Sequence, residues 1–89
     1  FLNSKHKKTL AKIFEKSPSA NIQWSDIESL LIALDAKISE RSGSRIVVSL
    51  NDRVSVFHRP HPRPNAGKGC VKTVRQFLIN AGIENIDDA

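Results

Sequence analysis

The stretch "RIVVSLNDRVSVFH" limits what this chain can fold into. Residues 45–50 and 53–58 are rich in Val and Ile and alternate in polarity, as half-buried strands do. Asn51-Asp52 between them suits a two-residue hairpin turn, although the preferred Gly is absent. If those two residues form the turn, the register is fixed. Leu50 faces Arg53, Ser49 faces Val54, Val48 faces Ser55, Val47 faces Val56, Ile46 faces Phe57 and Arg45 faces His58. Side chains alternate across a strand. One face therefore carries Ile46, Val48, Leu50 and Phe57, the bulkier set, which is expected to meet helices. The other carries Arg45, Val47, Ser49, Val54, Val56 and His58.

Helical periodicity flanks the hairpin. Residues 3–16 read as a short helix with Leu10, Ile13 and Phe14 on one stripe and Asn3 or Ser4 as its cap. In "WSDIESLLIALD", Ser25 and Glu28 have the spacing of a capping box, and Ile27, Leu30, Leu31 and Leu34 form one apolar face. Trp24 precedes that cap and is expected to cover the core edge. After Asp35 the period changes to two, and residues 37–41 read as a short strand before the turn Ser42-Gly43-Ser44. Residues 58–69, with three Pro and two Gly, read as loop. A last helix is expected over 71–81, with Val71, Val74, Phe77, Leu78 and Ala81 inward, Gly82 closing it and Ile83 folding back. The order α-α-β-β-β-α implies an α+β two-layer sandwich: a three-stranded antiparallel sheet with helices on one face.

At 89 residues the chain is expected to be one domain over 1–89, with a frayed acidic tail at 84–89. It contains no Met, so the natural N-terminus is expected to lie elsewhere. No apolar run approaches a membrane span. The single cysteine, Cys70, excludes an internal disulfide and a cysteine-rich zinc site, and fits a reducing cytoplasm. Beside the last helix, its thiol is expected to have a lowered pKa, but no companion base marks it as a nucleophile.

Charge points to a partner. Net charge is +5, and residues 37–75 hold nine Lys/Arg against Glu40 and Asp52. A basic centre suits RNA or the acidic face of a protein. Arg41, Arg45, Arg59, Arg63, Lys68 and Lys72 are the candidate phosphate contacts. His58 and His61 form H-x-x-H, but Pro60 and Pro62 forbid helical presentation and His6 is remote, so no metal is expected. Gly67-Lys68-Gly69 lacks the phosphate-loop spacing. No cofactor is implied. The Arg45–His58 pair is the candidate catalytic site, with His61 as alternate. An imidazole there can accept a proton from a 2′-hydroxyl while the guanidinium holds the phosphate.

Several pieces in order resemble the HicA-type toxins of bacterial type II toxin–antitoxin systems. They are Gly43-Ser44 before the second strand, "VFHRPHP" closing the third, and "VRQFLINAGI" as the last helix. The resemblance covers about 24–83, leaving 1–16 as an extra N-terminal helix. It implies a fold similar to double-stranded-RNA-binding domains, metal-independent cleavage of mRNA by an endoribonuclease, and a HicB-like antitoxin partner. In the family pattern a catalytic His follows the Gly-Ser. Here that position is Arg45. Three accounts follow: His58 supplies the imidazole from the neighbouring strand, the chain binds RNA without cutting it, or the toxin acts differently.

Overall fold

Asn51 and Asp52 both take positive φ, 49° and 67°, as the two central residues of a type I′ turn do. The hairpin in this computed structural model, which describes residues 2–17, 21–60 and 63–83, therefore has the expected register. Strands β2 (Arg45–Leu50) and β3 (Arg53–His58) pair antiparallel from Leu50↔Arg53 to Arg45↔His58. Strand β1 (Lys37–Glu40) adds to the other edge of β2, with Ile38 opposite Val48. The sheet order is β1-β2-β3.

The helices cover one face. Helix α1 spans Ser4–Ile13, α2 spans Trp24–Ala33 and α3 spans Lys68–Asn80. Ile46, Val48, Leu50 and Phe57 are buried beneath them, together with Ile27, Leu30, Leu31, Val71, Val74 and Leu78. Helix α2 packs on β1 and α3 on β3, while α1 packs against both α2 and α3. Leu10 and Ile13 make α1 part of the core, since neither retains appreciable exposure. Trp24 is buried at the core edge with its ring 5.8 Å from that of Phe57.

Helix ends differ from expectation in instructive ways. Asn3 caps α1 by accepting the His6 N–H at 2.8 Å, and His6 takes the place a Glu usually fills in the box. The Ser25–Glu28 box does not form. Helix α2 starts at Trp24 after Gln23, with no side-chain cap. The Trp24 N–H instead donates to the Pro64 carbonyl at 2.9 Å, and Glu28 is drawn to stronger, charged partners. Helix α3 begins three residues earlier than its apolar stripe suggests, at Lys68, with Gly67 as cap. Both α2 and α3 end in Schellman motifs. The Ala36 N–H donates to Leu31 O and the Ile83 N–H to Leu78 O, each at 2.9 Å. Gly82 takes the left-handed position in the second, at φ 81°, and Asp35 in the first, at φ 70°.

Two longer ties hold the layers together. Asn51 Nδ2 donates to the Ala81 carbonyl at 2.9 Å, joining the hairpin tip to the end of α3. Arg75 on α3 donates through Nε to the Ile13 carbonyl at 2.7 Å and through Nη2 to the Glu15 carbonyl, satisfying the open C-terminus of α1. The loop before α3 is tied as well: Asn65 bridges Gln23, and the Ala66 N–H donates to Ile22 O at 2.8 Å.

Candidate nucleic-acid interface

The end of the sheet away from the Asn51-Asp52 turn gathers the chemistry-bearing residues. Ser42-Gly43-Ser44 turns the chain there, with Gly43 at φ 71°. The Arg59 N–H donates to Ser44 O at 2.9 Å in the same register as the hairpin. Hydrogen-bonded pairs alternate with non-hydrogen-bonded ones, so Arg45↔His58 is one of the latter. In such pairs the Cα atoms are only about 4.5 Å apart and the side chains lie closer together. Both residues are exposed on the helix-free face. Arg45 Nη2 donates to Ser42 Oγ at 3.2 Å. The His58 imidazole makes no hydrogen bond or ion pair with any described residue. Arg41 stands beside them, its N–H donating to Arg45 O at 2.9 Å.

Arg59 turns the other way. Its Nε donates to Glu28 Oε1 at 2.6 Å, Nη2 donates to Glu28 Oε2 at 3.3 Å, and Nη1 reaches Glu40 Oε1. Trp24 Nε1 also donates to Glu28 Oε1 at 2.6 Å. The guanidinium bond holds the Glu28 carboxyl below the usual carboxylate range, outweighing the burial that would raise it; the Trp24 bond helps. The same contacts push Arg59 further up. One of the six expected phosphate contacts thus has its charge matched within the fold.

Of the others, Arg63 is exposed in the loop, and Lys68 and Lys72 are exposed on α3. No described contact joins these three to the Arg45–His58 end. His61 lies outside the described residues, as does the acidic tail. Burial pushes the Cys70 thiol up, against the lowering expected from the helix start, because the side chain is half enclosed by apolar neighbours.

Beside Arg59, on the helical side, lies an open depression of about 660 Å³ lined by Trp24, Glu28, Ser29 and Ile32. His6 Nε2 sits 2.9 Å from Ser29 Oγ there. His6 Nδ1 accepts the Asn3 N–H at 3.4 Å, so in the neutral ring Nε2 bears the proton and donates to the serine. The arrangement is the reverse of what a base activating Ser29 requires. This pair and the Glu28–Arg59–Glu40 network were missed in the sequence. Asn3-x-x-His6 was a local signal for the first; the second joins three distant segments and had none.

Among the described residues no three His, Cys, Asp or Glu side chains gather as a metal set, and no helix is long and apolar enough to cross a membrane. A sheet meander with helices on one face and a basic, open outer end places the chain among small α+β domains. A family model for the HicA toxin of bacterial toxin–antitoxin matches residues 24–83. The chain therefore belongs to the HicA toxin family. No curated protein and no solved structure matches it.

Proposed function

We propose that this toxin is a metal-independent endoribonuclease acting on mRNA in the cytoplasm, with His58 as the base and Arg45 as the phosphate-holding cation. The observation that carries this reading is the cross-strand pairing of Arg45 with His58 on an open sheet face. The family's usual His position is taken by Arg45, and the hairpin register puts an imidazole directly opposite it. His58 accepts the 2′-hydroxyl proton, the 2′-oxygen attacks phosphorus as the P–O5′ bond breaks, the departing 5′-oxygen takes a proton from water, and the imidazolium returns its proton to solvent. The products are a 2′,3′-cyclic phosphate and a 5′-hydroxyl end. Arg41 and Arg63 extend the phosphate path, and Lys68 and Lys72 offer further phosphate contacts from α3, on the helical layer away from this face. His61 is the alternate base.

A HicB-like antitoxin is the proposed partner. Val54 and Val56 are 64% and 52% exposed on the same face as His58, so a protein seated on them would cover the pair. Incubation of purified protein with labelled RNA tests the enzyme reading. His58→Ala should lower cleavage about 10²-fold or more, the usual contribution of a general base, and EDTA should leave it unchanged. Equal cleavage by wild type and His58→Ala, with loss in His61→Ala, would move the base to residue 61. The exchange Arg45→His with His58→Arg should retain measurable cleavage, since the imidazole moves only across one pair.

A second reading has its own support. No described group orients the His58 ring, whereas bases in acid–base catalysis are usually held by a third group. A non-catalytic RNA- or protein-binding module would leave it so. Salt-dependent RNA binding without cleavage in any variant would select that reading.

A further inference from the structure

We propose that α1 is a second phosphate-binding surface, which contacts an RNA backbone through Lys7, Lys8, Lys12 and the following Lys16. This helix lies outside the family-matched residues 24–83, so nothing in the family assignment accounts for its charge. Residues 2–16 carry five lysines against Glu15 alone. All five lysines are exposed. Only Lys5 has an acidic partner among the described residues, Asp26 at 3.4 Å.

Lys12 in the last turn suits the helix dipole, but the placement of the earlier lysines runs against helix stability. The N-terminal half of a helix favours carboxylates and disfavours cations. In α1 no acidic residue occupies the first turn, yet Lys5, Lys7 and Lys8 fall in the first half. A local choice that opposes the fold marks a functional demand. The inward face explains why the helix exists, since Leu10 and Ile13 fill the core between α2 and α3. It does not explain the lysines.

The fold joins this surface to the basic stripe of α3. Lys68, Lys72 and Arg75 recur at i, i+4 and i+7 on one side of α3. Arg75 reaches the Ile13 and Glu15 carbonyls. Lys72, one turn before Arg75, lies on the same side of α3 as this tie to the C-terminal end of α1, which carries Lys12 and is followed by Lys16. The result is a run of cations over two helices, on the layer opposite the Arg45–His58 face.

The character of the surface favours a nucleic-acid backbone over a protein. The cores of protein interfaces are depleted in Lys and built on aromatic or aliphatic anchors. Among the described residues the exposed large apolar side chains are Ile32, Val54, Val56 and Ile79, and none belongs to α1. Lysines without an apolar anchor suit phosphates, which need charge and no fitted pocket.

This inference shares with the ribonuclease reading only the identity of the ligand, and the experiment separates them. The full chain carrying His58→Ala, to prevent cleavage, is titrated into labelled single-stranded RNA at several salt concentrations. The same background with Lys7→Gln, Lys8→Gln and Lys12→Gln is compared. Each phosphate neutralised on a single strand contributes about 0.7 to the slope of log affinity against log salt, so the slope should fall by about 2. The melting temperature should stay close to that of the parent, because all three side chains are exposed and without acidic partners among the described residues, and the loss of Lys12 from the last turn is offset by the loss of Lys7 and Lys8 from the half that disfavours cations. RNA binding with an unchanged slope overturns the inference and leaves the nuclease reading standing. No RNA binding by either protein at low salt overturns both. An unchanged slope with loss of the complex formed with a co-expressed antitoxin would assign α1 to protein contact instead.

Discussion

Replacing Glu28 with Gln removes one charge from the point where α2, β1 and the chain after β3 meet. In the wild type that carboxylate accepts Arg59 Nε and Nη2 as well as Trp24 Nε1. The amide keeps an acceptor for Trp24 but sets its NH2 group against the guanidinium. A net hydrogen bond to a charged group is worth about 1.5–3 kcal/mol when well buried, and an exposed ion pair about 0.2–1 kcal/mol. The Glu28 and Arg59 side chains retain 21% and 34% exposure, so solvent screening places the loss between those cases, at about 1.5 kcal/mol. For a domain of this size that is roughly 6–12 °C in melting temperature.

The pH dependence supplies the stricter check. Glu28 has a folded-state pKa below its usual value of 4.5. The unfolded chain therefore takes up its proton first as pH falls. The stabilisation is fully present above the unfolded pKa and is lost as pH drops through the lower folded value. Thermal unfolding of wild type and Glu28→Gln should differ most near neutral pH and converge well below about pH 4. Trp24 is the only tryptophan and touches the mutated group, so its fluorescence follows the same transition locally. Melting temperatures that agree at neutral pH, or a gap that persists undiminished in acid, would refute the assignment of Glu28 as a charged tie.

Asp35 closes α2 at φ 70°, where an L-residue with a side chain costs about 1–2 kcal/mol; Asp35→Gly should raise stability in urea by roughly 1 kcal/mol. Leu10→Ala should cost about 2–5 kcal/mol in the same assay, since its side chain is 1% exposed within the shared core; a cost near zero would make α1 an appendage. Asn51→Ala loses the bond to Ala81 O and places a Cβ residue without a polar side chain at φ 49°; chemical denaturation should show a loss of about 2 kcal/mol. Cys70, its thiol raised by burial, should alkylate more slowly in the native protein than in the unfolded chain near pH 8.

The hairpin was legible because its information is local. Alternation, a two-residue turn and the difference in bulk between the faces together leave one register, and all six pairs follow. Helix bodies were legible for the same reason, through Val71, Val74, Phe77 and Leu78 or Ile27, Leu30 and Leu31. Their ends were less so. Ser25 and Glu28 satisfied the capping pattern, but the Pro64 carbonyl and the Arg59 guanidinium lie 40 and 31 residues from their partners Trp24 and Glu28, and no window along the chain contains both. Gly67 and Gly69 disguised the start of α3, where the first turn makes few internal bonds and tolerates glycine.

Arg59 shows why a basic residue in a basic loop is weak evidence of a phosphate contact. Arg45 and Arg59 flank the same sheet end, and by composition they are equivalent. Strand alternation separates them. Position 58 faces outward with Arg45, so position 59 faces the helices, where Glu28 and Glu40 meet it. The same period of two that exposes the Arg45–His58 pair also withdraws the next arginine from solvent partners. Its pairing with α2 and β1 fixes the chain one residue beyond His58. The charge that sequence counting assigned to RNA therefore divides in two: Arg45 and Arg41 stay on the open side, while Arg59 anchors the backbone that carries the imidazole.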